Sequence, residues 1–301
     1  MSERPDQTRN PGPRWGFAFL RWADRNWPRW FFRLALRVGN AVAVVLLPEQ
    51  RRQSRAYLTV ALGRPARWMD VVRHFELFSQ VLLLKMHVGH GRDVACTLAP
   101  EHAEAFEALV RSAQPALFGT FHVGASDLLG YRLADWGRQV SILRLRVGNS
   151  DDTRLLGERF VRHVSFLWIN DPTKLLFDLK DAIERGASLA LKCDRLEYAA
   201  RTEAFQFLGA RRLFPFTIYY LAVLFDRPVA FCVAVPGRDA TRDPLCLHAS
   251  LPFHPDPAAG RAANLAAARL HFQTVLTELE VLLRAEPRLW FNFLPLNPVA
   301  A

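Results

Sequence analysis

Hydrophobic and polar positions change period several times along this chain, and the changes mark out its elements. From residue 114 onward, short apolar runs alternate with stretches in which apolar residues recur every three or four positions. The runs at 116–121, 139–145, 188–193, 229–235 and 245–249 predict buried strands, because they are short, apolar and bounded by turn residues. The stretches at 127–136, 152–163, 172–185 and 214–225 predict helices, and a long helix over 258–284 closes the chain. Strands alternating with helices in this way predict an α/β fold, a central and mostly parallel sheet flanked by helices.

The first third reads differently. Val71, Val72, Phe75, Phe78, Val81, Leu82 and Met86 fall at helical spacing and predict a helix over 70–92. Residues 100–111 predict a second, with a polar face that carries His102 and Glu107. Upstream, residues 15–47 are aromatic, apolar and rich in arginine. Trp15, Trp22, Trp27 and Trp30 fall here, and Arg21, Arg25, Arg29, Arg33 and Arg37 recur every four residues. Pro28 is tolerated only near a helix start, with Asn26 as the cap, so a helix begins at about residue 28. Spanning a bilayer would bury Arg29, Arg33 and Arg37 at about 2.5–3.5 kcal/mol each. The uninterrupted apolar run Val42 to Leu47 is far short of the roughly 20 residues a span needs. An interfacial anchor on an anionic membrane surface is the expectation. The alternative is a soluble helix packed on the core with its arginines salt-bridged, for which Asp24 and Glu49 are the only local acids. The expected organisation is thus a disordered N-terminus (1–14), a helical membrane-associating and packing region (15–112) and an α/β domain (113–301).

Composition sharpens this picture in three places. Half of the 301 residues are hydrophobic, which excludes disorder as the main state. The net charge is +10, and the first 67 residues hold thirteen arginines against four acids, so the basic charge is an N-terminal arm on a nearly neutral body. The polar, proline-containing start predicts no secretory signal. Cys96, Cys193, Cys232 and Cys246 show neither a paired C-x-x-C nor a zinc spacing, and buried reduced thiols are expected. His87, His90 and Asp93 stand at three-residue steps that imitate metal ligands, but beside Gly89 and Gly91 they read as a fraying helix end. The chain has no glycine-rich phosphate loop, no dinucleotide fingerprint and no nucleic-acid module, which argues against kinases, hydride-transfer enzymes and nucleic-acid partners.

The candidate chemistry sits where the chain passes from strand to helix, at His122-Val-Gly-Ala-Ser-Asp127. A histidine at a strand end beside a carboxylate is a minimal kit for removing a proton from a hydroxyl. The imidazole takes the proton, and the carboxylate fixes its tautomer. The spacing by itself is weak, since His102 and Glu107 match it on a solvated helix, and Asp127 reads equally as a helix N-cap. No Gly-x-Ser-x-Gly nucleophile elbow is present, which weighs against an ordinary lipase.

The chain as a whole resembles the lysophospholipid acyltransferase superfamily, in particular its lipid A late-acyltransferase branch. The resemblance is carried by an ordered set over about residues 30–295. The set comprises His122 and Asp127; Arg159 in Leu-Leu-Gly-Glu-Arg-Phe; Arg185-Gly186 leading to Asp194-Arg195; Phe207-Leu208-Gly209; the stretch from Leu221 to Pro228; and Pro287-Arg-Leu-Trp290. Two features depart from that branch: an aspartate where glutamate is usual, and Trp290-Phe-Asn-Phe293 in place of a basic tail. The ending is closer to the acyltransferases found with aryl-polyene pigment pathways. The resemblance implies acyl transfer from a thioester, carried by acyl carrier protein or coenzyme A, to a hydroxyl of a lipid or glycolipid. It implies no cofactor and no metal, and a place on the cytoplasmic face of a bacterial inner membrane. His122 would be the base and Asp127 its partner. Arg159, Asp194 and Arg195 would hold the acceptor, with Phe121, Phe207 and Phe214 as an apolar slot. Core packing explains the three phenylalanines as well, and Arg159 reads also as a surface arginine paired with Glu158 or Asp152. The runner-up activities are lipid hydrolysis and a non-catalytic lipid-binding role.

Overall fold

A computed structural model describes residues 14–144, 156–169, 172–197, 199, 201–240 and 243–300. Nine strands and nine labelled helices organise them. The sheet holds seven strands in the order β1-β9-β8-β2-β5-β3-β4. These are β1 (Cys96–Leu98), β2 (Leu117–Thr120), β3 (Val140–Arg144), β4 (Val164–Trp168), β5 (Ser188–Lys192), β8 (Val229–Val235) and β9 (Leu245–Ala249). All neighbours pair parallel except β8 and β9, so the molecule is α/β with a mostly parallel central sheet, as the alternation predicts.

Both faces of the sheet are covered, which is why its strands read as continuous apolar runs rather than alternating ones. Along β2 and β8, Leu117, Val229, Phe231 and Val233 join one core while Phe118, Ala230, Cys232 and Ala234 join the other. The first core is closed by α3 (Pro48–Leu62), α8 (Thr217–Phe225) and α9 (Arg261–Ala285), and the second by α5 (Ala103–Arg111) and α6 (Leu129–Asp135). The remaining flanking helix, α7 (Pro172–Glu184), packs on β5. The 22-residue helix α4 (Trp68–Gly89) serves both cores, with Val71, Val72 and Phe75 in one and Val81, Leu84 and Val88 in the other.

Two helices precede this body, α1 (Arg14–Asn26) and α2 (Arg29–Leu46). They rest on α4 through a small third core of Ala23, Phe32, Leu83 and Met86. Asn26 caps nothing; its side chain donates back to the Trp22 carbonyl, and Pro28 takes the cap position of α2. Opposite the packed stripe, Trp22, Trp30, Phe31, Leu34, Val38 and Leu46 are exposed, Trp30 by 70%. Arg33 and Arg37 are salt-bridged, but to Asp239 and Glu76, acids brought by the fold from far along the chain. No single described helix is long and apolar enough to cross a membrane.

Four strands escape the sequence pattern. β1 and β4 are short and only partly buried. With β1, the sheet takes in a strand from the segment expected to be wholly helical. β6 (Thr202–Phe207) and β7 (Ala210–Pro215) form a separate antiparallel hairpin, so the expected helix over 214–225 starts instead at Thr217. The turn between them is Leu208-Gly209, both at positive φ (50° and 75°), the geometry that lets a two-residue turn follow the strands' twist. The Phe207-Leu208-Gly209 segment is thereby a hairpin turn, with Leu208 N–H donating to Glu280 at 2.6 Å. Of the helix expected over 152–163, residues 156–159 are helical and 151–155 lie outside the described residues. The expected disordered N-terminus lies, apart from Arg14, outside them too.

Candidate active site

His122 follows the last residues of β2, at the C-terminal edge of the sheet where loops from neighbouring strands converge. The loop behind it is tied down strand by strand. Gly124 N–H donates to Leu289 O at 2.8 Å, Ala125 N–H to Ala234 O at 2.7 Å, and Phe291 N–H to His122 O at 2.7 Å. Gly124 is required here, since its φ is +53° and a Cβ would stand 2.2 Å from the Ala234 carbonyl oxygen. Ser126 locks the same loop by accepting from Ala234 N–H at 3.2 Å and donating to the Val123 carbonyl.

The imidazole is oriented by Asp194, not by Asp127. Asp194 follows β5, the strand that pairs in parallel with β2, and is fully buried. Its carboxylate receives three hydrogen bonds: from His122 Nδ1–H at 2.7 Å, from His122 backbone N–H at 2.8 Å and from Trp290 Nε1–H at 2.7 Å. Burial pushes this carboxyl up, but the neighbouring His122 and Arg195 and the Trp290 N–H outweigh it and hold it far below the usual carboxylate range. Burial drives the His122 imidazole down to about 4 against the pull of Asp194, with Lys192 and Arg195 adding to the depression. At neutral pH the ring is therefore uncharged, carries its proton on Nδ1, and presents Nε2 as an acceptor with no partner among the described residues.

Asp127 is committed elsewhere. Its two oxygens meet two ammonium groups, Lys192 of β5 and Lys85 of α4. Burial favours its neutral form, but Lys192, Lys85 and Arg144 together hold it well below the ordinary range. The expectation that Asp127 steers the imidazole is thus corrected, and so is its alternative as a helix cap, since the adjoining 3₁₀ turn has no side-chain cap. The physical reason is sheet neighbourhood. β5 lies directly beside β2, so its end reaches the ring, while a residue five positions along the same loop is turned toward α4.

His122 opens on a cavity of about 890 Å³. Its polar end, around His122, holds Thr120, Asp127, Arg144, Lys192 and Arg195, and Leu129, Ile142, Leu143, Leu179, Ile218 and Leu221 make the wall largely apolar, with Tyr131, Glu197 and Thr217 also in it. Arg195, expected near the acceptor, lines the polar end and donates through Nε to Asn292 at 3.1 Å. The three phenylalanines are core instead. Phe121 stacks on Phe231, Phe207 meets Trp290, and Phe214 meets Phe272; none of them lines the cavity. Arg159 is not part of the cavity wall either. Its guanidinium bonds the Val88 and Arg92 carbonyls and the Asp93 carboxylate, so it pins the end of α4. With Asp93 on Arg159, His87 on Asp24 and His90 on the Met86 carbonyl, those three residues serve separate partners.

Two contributors were not singled out from sequence, Lys85 and Lys192, and Trp290 was named there without a role for its indole N–H. A polar residue closing an apolar strand, Lys192 beside Asp194, is the signal that would have found one of them.

No protein-family model and no curated protein matches this sequence. Among solved structures, the fold is similar to the 1-acyl-sn-glycerophosphate (LPA) acyltransferase PlsC from Thermotoga maritima. The TM-score is 0.39 and the identity 11%, over 84% of this chain and 99% of that one.

Proposed function

We propose that this protein is an acyltransferase that moves a fatty acyl group from an acyl thioester to a hydroxyl of a lipid or glycolipid. The observation that carries this reading is an imidazole held through Nδ1 by a buried carboxylate, on the wall of a largely apolar cavity. A thioester is already reactive, so the reaction needs a base for the acceptor hydroxyl and a place for the developing negative charge, with no serine or cysteine nucleophile. His122 is the base through Nε2, and Asp194 fixes the tautomer and stabilises the imidazolium that forms. The aliphatic wall accommodates the acyl chain. Arg195, in the same wall, is the group that would meet a charged acceptor head. The thioester is carried by acyl carrier protein or coenzyme A.

The exposed apolar face of α2 supports a peripheral place on an anionic membrane, the inner leaflet of a bacterial inner membrane by resemblance, where a lipid acceptor resides. A lauroyl or myristoyl transferase of the lipid A late-acyltransferase kind, or of the aryl-polyene-associated kind, is the finer reading.

The test is mass spectrometry of lipids from cells with and without the gene, together with purified protein given an acyl thioester and those lipids. A new ester product is expected, and His122→Ala should lower its rate by at least 10²-fold. Free fatty acid without ester would indicate hydrolysis. Lipid binding without turnover, or His122→Ala with more than about a tenth of the activity, would overturn the reading.

A further inference from the structure

Asp127 meets two ammonium groups, Lys85 and Lys192. Lys85 is sunk beneath the cavity wall, its side chain 11% exposed, whereas Lys192 is 27% exposed and forms part of that wall. An ammonium has three N–H donors. Asp127 engages Lys192, and no other hydrogen-bond partner of Lys192 occurs among the described residues. The same wall carries His122, and residue Thr120, two before it, pairs in register with Lys192 across β2 and β5. Among the described residues the Lys192 ammonium therefore keeps unused donors on the wall that carries the proposed base. A fixed cation in a water-poor site stabilises forming negative charge far better than water does.

We propose that Lys192 is a catalytic residue whose ammonium, positioned by Asp127, stabilises the oxyanion formed on the acyl carbonyl during transfer. This rests on the acyl-transfer reading above. As the acceptor oxygen bonds to the carbonyl carbon, its proton passes to His122 Nε2 and the carbonyl π pair moves onto oxygen, facing Lys192. When that pair returns, the C–S bond breaks, and the leaving thiolate takes the proton back from the imidazolium. Nothing is oxidised or reduced, and Lys192 keeps its proton throughout. Asp127 is a positioning residue. It fixes the ammonium in place and keeps it charged where burial and Lys85 favour the neutral amine.

Lys192→Met leaves Asp127 its ion pair with Lys85; Lys192→Gln serves if Met does not fold. Binding to the full-length chain is measured by calorimetry with dodecylphosphonate, an anionic tetrahedral head on an alkyl chain, and with dodecanol as the neutral control. The wild type should bind the phosphonate at least tenfold more tightly than the alcohol. Lys192→Met should abolish that preference and leave dodecanol binding unchanged, and Lys192→Arg should keep most of it. With lauroyl-coenzyme A and the extracted lipids as acceptor, Lys192→Met should lower kcat for thiol release on the order of 10²–10³-fold, with KM within about twofold. Asp127→Asn should shift kcat in the same direction. A phosphonate preference that is absent in the wild type, or that survives Lys192→Met, overturns the proposal, as does unchanged kcat in that variant. The acyl-transfer reading fails separately, if the wild type releases no thiol or if His122→Ala remains active.

Discussion

At the scale of residues, the site is a set of buried polar groups whose partners can be counted. Asp194 accepts three N–H groups and keeps its charge because each of them favours the ionised form. Removing that charge while keeping the shape should uncouple the imidazole. Asp194→Asn is expected to lower kcat on the order of 10²–10⁴-fold with little change in KM, read from steady-state kinetics on folded protein. Trp290 contributes one charge-assisted hydrogen bond and sits among Tyr57 and Phe207. Trp290→Phe keeps an aromatic ring but loses the donor. It should cost about 1.5–3 kcal/mol of stability in urea unfolding and reduce kcat, since one carboxylate oxygen is left under-bonded. Trp290→Phe with wild-type stability and kcat would show that the indole is packing only.

At the scale of elements, the N-terminal helices were expected to be held to a membrane by arginines and aromatic rings together, and the fold separates the two contributions. Arg33 and Arg37 face acids of the body, at side-chain exposures of 61% and 68%, so each contributes modestly to any surface. The free face of α2 is apolar, with Trp30, Leu34 and Val38 at 70%, 52% and 57% exposure. Burying apolar surface is worth about 25 cal/mol per Å². Replacing Trp30, Leu34 and Val38 together by Ser should therefore release the protein from phosphatidylglycerol vesicles more completely than replacing Arg33 and Arg37 by Gln. Co-sedimentation at low and high salt checks this. A larger loss from the arginine pair would return the anchor to electrostatics.

At the scale of the whole molecule, two histidines, one buried and one partly buried, tie stability to pH. His74 is fully buried between α3, α4 and the C-terminal segment, with Ser54 at 2.8 Å from Nδ1 and Nε2–H donating to the Trp290 carbonyl at 3.1 Å. Burial lowers His74 to about 4, as it does His122. In the unfolded chain both titrate near 6.5. Between those values the unfolded state binds more protons, so stability rises with pH and is lost as pH falls from about 6.5 toward 4. Below that window, protonation of Asp194 and Asp127, both held below the usual carboxylate range, removes more. Urea midpoints at pH 7, 5.5 and 4.5 should fall in that order. His74→Gln should flatten the fall relative to its own pH 7 value, and a curve as steep as that of the wild type would remove His74 as a cause.

The α/β class, five of the sheet's strands and most helices were legible in the sequence, because a sheet covered on both faces forces continuous apolar runs and its helices repeat at their own period. The strand-end place of His122 was legible too, since it closes such a run. Asp194, Arg195 and Trp290 entered only as parts of a resemblance. Short, half-buried β1 and β4 and the β6–β7 hairpin were not legible, as neither period nor burial distinguishes them along the chain. What only tertiary structure decided was pairing. Asp194 reaches His122 because β5 hydrogen-bonds beside β2, an adjacency set by crossover connections rather than by distance in sequence. The same folding turns Asp127 to two lysines 42 residues before it and 65 after, sends Arg159 to the end of α4, and leaves the three phenylalanines in the core. Local pattern determines which residues are buried or end a strand; the order of strands in the sheet determines which charges meet.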